Sequence, residues 1–183
     1  AATLNINQAT LKACYYMWDG IYLNNVGFIL PHLNIYNNSS ISDAVYAVHT
    51  DNAADIHIDN SIFDRNYIAL HLYTADYSAC NVSFNTFSCS SVLNPTTSPA
   101  PPVGGGFTYA HADVFNLTNS LLFDHNDFVN GDYGIYTDKS TVTVSPANSF
   151  TDHRMAGIRC IKSILTVNDK NSFLRCPAGI NAT

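Results

Sequence analysis

Between positions 124 and 162 the chain gathers side chains of the types that break glycosidic bonds: Asp124, His125, Asp127, Asp152, His153, Arg154, Arg159 and Lys162. Hydrolysis needs two carboxyl groups on one face, one to protonate the leaving oxygen and one to act as base or nucleophile. Elimination needs a basic proton abstractor beside acidic groups that neutralise a uronate, often through calcium. Asp124, Asp127, Asp152, His153, Arg159 and Lys162 would supply those roles, yet their spacing matches no catalytic motif. The same residue types occur on solvated strand surfaces. The expectation therefore leans away from catalysis, with a polysaccharide lyase or glycoside hydrolase as the alternative.

Other chemistries find less support. Seven histidines are scattered, and none is placed four residues from another with the glutamate of a zinc protease. Asp51, Asp55 and Asp59 alternate but lack the glycine–aspartate nonapeptide of calcium-binding β-rolls. Cys14, Cys80, Cys89, Cys160 and Cys176 form no CxxC pair, and most are expected to be small buried apolar groups. No metal and no cofactor is expected. Net charge is −6, and eight basic residues form no stripe, which excludes ordinary nucleic-acid binding. Apolar runs are too short to span a bilayer, so no membrane insertion is expected. Asn38, Asn81, Asn116 and Asn181 begin N-x-S/T sequons, which are glycan sites only in a eukaryotic secreted chain. The chain starts at Ala1 without an initiator Met and stops within a repeat, so it is expected to be processed or part of something longer.

The elements that hold these residues come from an internal repeat. Thr141–Val144 runs into Asn148-Ser-Phe150 and then Ala156-Gly157-Ile158; Ile164–Val167 runs into Asn171-Ser-Phe173 and then Ala178-Gly179-Ile180. The same order precedes them at Asn126/Phe128, Asn85/Phe87, Asn60/Phe63 and Ser39/Ile41. A second column reads Ile21, Val48, Leu70, Leu93, Ile135, Ile158 and Ile180, with two long steps, the first of 27 residues and the other of 42. That step holds the Pro/Gly-rich stretch at about 94–106, expected to be an inserted loop; a degenerate coil near Phe107–Asn116 is the rival. Apolar residues alternate around each column, as in strands. A unit near 22 residues is too short for strand–helix–strand but fits three short strands. The expected fold is all-β: a parallel β-helix of about seven coils of 22–24 residues, one domain over 1–183. Phe63, Phe87, Phe128, Phe150 and Phe173 would stack inside. Asn85, Asn126, Asn148 and Asn171 would form a hydrogen-bonded ladder at one bend, ordinary turn preference being the alternative. Glycines 20, 134, 157 and 179 would relieve crowding beside the inward Ile. Asp43 with Arg65, and Asp152 with Arg175, would pair between adjacent coils.

This x-Asn-x-Phe-(six residues)-Gly-Ile unit resembles the parallel β-helix repeats of the pectate-lyase-like superfamily over most of residues 34–181. It is most similar to versions in large secreted proteins of Bacteroidota exported by the type 9 secretion system. The resemblance implies a right-handed coil, an extracellular or cell-surface setting, and an architectural or adhesin-like role. The implied partners are an extracellular glycan or a surface protein, and the secretion machinery or further chain of the same protein. On the outward column, Tyr22, His49, His71, Tyr136 and Arg159 are the candidate binding residues, with Asn94 as the member from the long step. A solvated face carrying aromatics for β-propensity is the plain alternative.

Overall fold

The computed structural model describes residues 2–25, 29–73, 80–97 and 106–183. Every regular element among them is a strand, and each pairs in parallel with its equivalent one coil away. The first coil holds β1 (Thr3–Asn7), β2 (Thr10–Lys12) and β3 (Ile21–Leu23). The second holds β4 (His32–Tyr36), β5 (Ser40–Ser42) and β6 (Tyr46–Thr50). The third holds β7 (Asp55–Asp59), β8 (Ile62–Asp64) and β9 (Ile68–Tyr73). The fourth holds β10 (Cys80–Ser83), β11 (Thr86–Ser88) and β12 (Ala110–Phe115). In the fifth, β13 (Leu121–Asp124) is followed by the long β14 (Asp127–Asp138), which supplies two faces through an irregularity between Gly131 and Tyr133. The sixth repeats this with β15 (Thr141–Val144) and β16 (Ser149–Ile161). The seventh holds β17 (Ile164–Val167), β18 (Ser172–Leu174) and β19 (Ala178–Ala182). The result is a parallel β-solenoid of about six turns with three faces.

The inner side of each face is apolar because strand side chains alternate. In β7, Ile56 and Ile58 are buried while His57 and Asp59 face out; in β15, Val142 and Val144 are buried. On the second face Leu11, Ile41, Phe63, Phe87, Phe128, Phe150 and Phe173 lie in register. The five Phe rings follow one another at centroid distances of 5.0, 5.1, 4.8 and 4.9 Å. The glycines opposite make room for this stack. A Cβ on Gly157 would stand 2.7 Å from the Phe173 ring, and one on Gly134 2.6 Å from the Phe150 ring.

The first bend carries the ladder. Asn126 Oδ1 accepts from the Asn85 backbone N–H at 3.0 Å and from Asn85 Nδ2 at 3.1 Å. Asn148 Oδ1 serves Asn126 in the same way, at 2.8 and 3.1 Å, and Asn171 Oδ1 serves Asn148, at 2.9 and 3.1 Å. Ser39 and Ser61 hold the same place in coils two and three: the Ala9 N–H donates to Ser39 Oγ and the Ser61 N–H to Asn85 Oδ1. The residue before each ladder position adopts positive φ, at Gln8, Asn38, Asn60, Phe84, His125, Ala147 and Lys170. The bend thus turns on that residue, and the asparagine itself is chosen for its amide. A shorter version operates at the third bend, where the Leu117 N–H donates to Ser140 Oγ and the Ser140 N–H to Ser163 Oγ.

One column differs from the sequence expectation. Leu70 pairs with Ala112, and Ala112 with Ile135, so Ala112 occupies the place expected for Leu93. Residues 110–115 are the third-face strand of coil four, neither loop nor extra coil, and the insertion lies between β11 and β12. Leu93 is buried in a separate apolar cluster with Met17 and Cys89. The Pro/Gly-rich stretch at residues 98–105 lies outside the described residues. Its described approach runs down the second bend: the Met17 N–H donates to Pro95 O, and Asn94 Nδ2 to Asp43 Oδ1 at 3.1 Å. Asp43 is buried there, and Arg65 donates to it through Nε at 2.9 Å and Nη2 at 3.0 Å. Arg175 and Asp152 form the equivalent two-pronged pair between coils six and seven.

Candidate functional site

The third face carries the densest group of aromatic and ionisable side chains. Its strands are short and extended, so every second residue points outward, and parallel register puts like positions above one another. The outward column runs Tyr22, His49, His71, Asp113, Tyr136, Arg159 and Asn181. Asp113 therefore stands where Asn94 was expected. The acid escaped sequence reasoning because Leu93 is a better apolar match to the inner column than Ala112.

Around that column the rings touch in series. Tyr22 lies 4.8 Å from His49, which lies 5.0 Å from His71. The His71 imidazole is stacked between Tyr46 at 4.4 Å and Tyr73 at 4.0 Å, and Tyr73 continues to Phe115 at 5.2 Å. Higher up, Tyr136 contacts Tyr109 at 5.9 Å and Tyr133 at 5.4 Å. Tyr46, Tyr73, Tyr109 and Tyr133 were not foreseen; they stand beside the column rather than in it, and only the two-residue spacing of Tyr73 from His71 signals one of them.

Two carboxylates hold the polar edges of these rings. Tyr22 Oη donates to Asp51 Oδ2 at 3.1 Å, and His49 Nε2 lies 2.9 Å from Asp51 Oδ1. The His49 hydrogen bond holds the Asp51 carboxyl below the usual range. Tyr73 Oη donates to Asp113 Oδ2 at 3.2 Å, with His71 Nδ1 at 3.4 Å from the same oxygen. Burial and the Asp113 charge raise the Tyr73 hydroxyl well above its ordinary value, so it remains a donor. Because the rings of Tyr46, His71 and Tyr73 cover one another's faces, contact from outside is edge-on.

No family model, no curated protein and no solved structure matches the chain. The chemistry of its surface rests on geometry alone.

The residues named for a hydrolytic or lyase alternative are not brought together. Asp124 sits at the end of the first face, paired with His125 Nδ1 at 3.0 Å. Asp127 opens the second face and accepts from Ser149 Oγ. Asp152 is engaged by Arg175 at the second bend. Arg159 lies on the third face beside Tyr136, and Lys162 takes positive φ at the third bend. His153 is buried beneath the second bend, 5.6 Å from the His111 ring. Burial lowers its pKa to about 4, with the Phe128 and Gly131 backbone pulling the other way. A buried imidazole that stays neutral at ordinary pH sits with the core and not on the surface.

Among the described residues no group of three or more His, Cys, Asp or Glu side chains is arranged to hold a metal ion, and no helix is long and apolar enough to cross a membrane. Cys80, Cys89 and Cys160 are buried thiols. The sequon residues Asn38, Asn81, Asn116 and Asn181 are all exposed.

Proposed function

We propose that this chain is a non-catalytic binding module of a secreted or cell-surface protein, and that its third face contacts extracellular glycans. The observation that carries the reading is the unbroken run of rings from Tyr22 to Phe115, with Asp51 and Asp113 anchoring their edges. Aromatic side chains combine large contact area with a polar edge at little cost in side-chain entropy. Planar donors and acceptors fixed on a rigid sheet are already ordered, so a hydroxyl-rich ligand need not arrange them. The likeness of the repeat to pectate-lyase-like β-helices, and to exported proteins of Bacteroidota, supports the extracellular setting. It also supports the broader picture of a stiff rod displaying a surface for adhesion.

The test is binding of the purified chain to a panel of immobilised extracellular polysaccharides, neutral and acidic. The Tyr22→Ala/Tyr136→Ala variant removes the exposed ring at the lower end of the run and the half-buried ring of the tyrosine cluster above it. We expect at least one polysaccharide to be retained, and the variant to bind it at least tenfold more weakly with its melting transition preserved. Failure of every polysaccharide to bind, or equal binding by the folded variant, refutes the assignment.

A further inference from the structure

Resting on the glycan-face reading above, we infer that the third face selects uncharged polysaccharide and rejects polymers of uronic acid. The distribution of charge on the face carries this step. Strands β3, β6, β9 and β12, which bear most of the rings, contain no lysine or arginine. Asp113 lies at the centre of the column, and Asp51 flanks its lower end. Two basic residues stand on the upper part of the face, away from Asp51: Lys139 over the Phe115 ring at 5.3 Å, and Arg159 in the column one coil above Tyr136.

A polymer laid along the column would pass over both carboxylates. Asp113 is only 6% exposed, so its charge is poorly screened by solvent. A uronate brings a carboxylate on every sugar, and like charges set against each other discriminate between ligands by repulsion. A neutral sugar brings hydroxyls, each of which both donates and accepts. Asp51, which is exposed, accepts from such hydroxyls, while the buried Asp113 acts through its field and holds Tyr73 and His71. Tyr46 and Tyr73 cover the His71 ring on both sides, which leaves edge-on hydrogen bonding as its mode of contact.

The experiment compares a neutral β-glucan and a neutral galactomannan with polygalacturonate by affinity electrophoresis at neutral pH and low salt, repeated at high salt. We expect a neutral polymer to bind at least tenfold more tightly than polygalacturonate. Added salt should narrow that gap by strengthening polygalacturonate binding, and Asp51→Asn/Asp113→Asn should narrow it at low salt. Equal or tighter binding of polygalacturonate, weakened by salt, overturns the inference and leaves the glycan-face reading standing. An unchanged gap in the folded double variant also overturns it; should that variant not fold, the salt series on the unaltered chain decides. Binding of none of the three polymers, extended to no binding across the wider panel, removes the underlying reading and the inference with it.

Discussion

Replacing Asn126 by alanine tests the ladder at its centre. Asn126 is fully buried. Its Oδ1 accepts from the Asn85 N–H and Nδ2, while its Nδ2 donates to Val82 O at 2.8 Å and to Asn148 Oδ1 at 3.1 Å. In the alanine variant Asn148 Oδ1 still receives the residue-126 backbone N–H, and Asn85 Nδ2 still reaches Ile58 O. The Asn85 N–H and the Val82 carbonyl lose the partners named here and remain buried. Val82 lies within the paired run of β10 and keeps its place in the ladder, so the Asn85 N–H is the group left unsatisfied and the loss is about 1–3 kcal/mol. Asn171→Ala removes the same acceptor from the Asn148 N–H, but Asn171 is half-buried and water can reach the freed donor, so the loss should be only about 1 kcal/mol. Asn126→Asp keeps the shape but sets a carboxylate against Val82 O and Asn148 Oδ1, and should be worse than alanine at pH 7. Urea unfolding with linear extrapolation, checked for an unchanged slope, measures all three. Equal losses for Asn126→Ala and Asn171→Ala, or a loss below 1 kcal/mol at Asn126, would refute the ladder account and return the asparagines to turn preference.

Gly157→Ala places a Cβ 2.7 Å from the Phe173 ring and 2.9 Å from Gly179 O, so overpacking should cost about 1–3 kcal/mol. Gly179→Ala meets the same ring at 3.3 Å and should lose less, which thermal unfolding of the two variants compares directly. Stability should also fall on acidification through the buried histidines. Burial and the neighbouring His153 push His111 down to about 3, and burial pushes His153 down to about 4. The unfolded chain protonates near 6.5, so below that pH it binds more protons than the native state; the stabilisation is complete above about 6.5 and lost as pH falls toward 4 and 3. Urea midpoints between pH 7 and pH 4.5 should decline, and His153→Leu should flatten that slope; parallel slopes in the two proteins would contradict it.

The solenoid itself was legible because its columns repeat residue types as well as polarity. Phe128, Phe150 and Phe173 recur with asparagine two residues before them, and a repeat of identity fixes vertical register. The third-face column was legible only where the inward residue is bulky. At coil four the inner place is held by Ala112, and a better apolar candidate, Leu93, stood earlier in the chain; that choice hid Asp113. Positive φ at the first bend was legible only at Asn38, Asn60 and His125, types that tolerate it. Gln8, Phe84, Ala147 and Lys170 share no preference for that conformation, and the neighbouring hydrogen-bonded residue imposes it. The scattered hydrolytic candidates were adjacent in sequence but divided among separate faces. In a solenoid, proximity follows the coil period, so residues 22 apart meet while residues 25 or 35 apart need not.

The segment after β11 alters how the rod would come undone. Most of the fold resembles yarn on a spindle, each loop held by the loops on either side. Residues 93–95 cross that winding and fasten coil four to Asp43 and Met17 beneath. Drawn from the C-terminal end, the thread would slip off turn by turn through coils seven, six and five. It would then meet a stitched bundle whose remaining turns must yield as one, making the lower half the mechanically resistant base of the spindle.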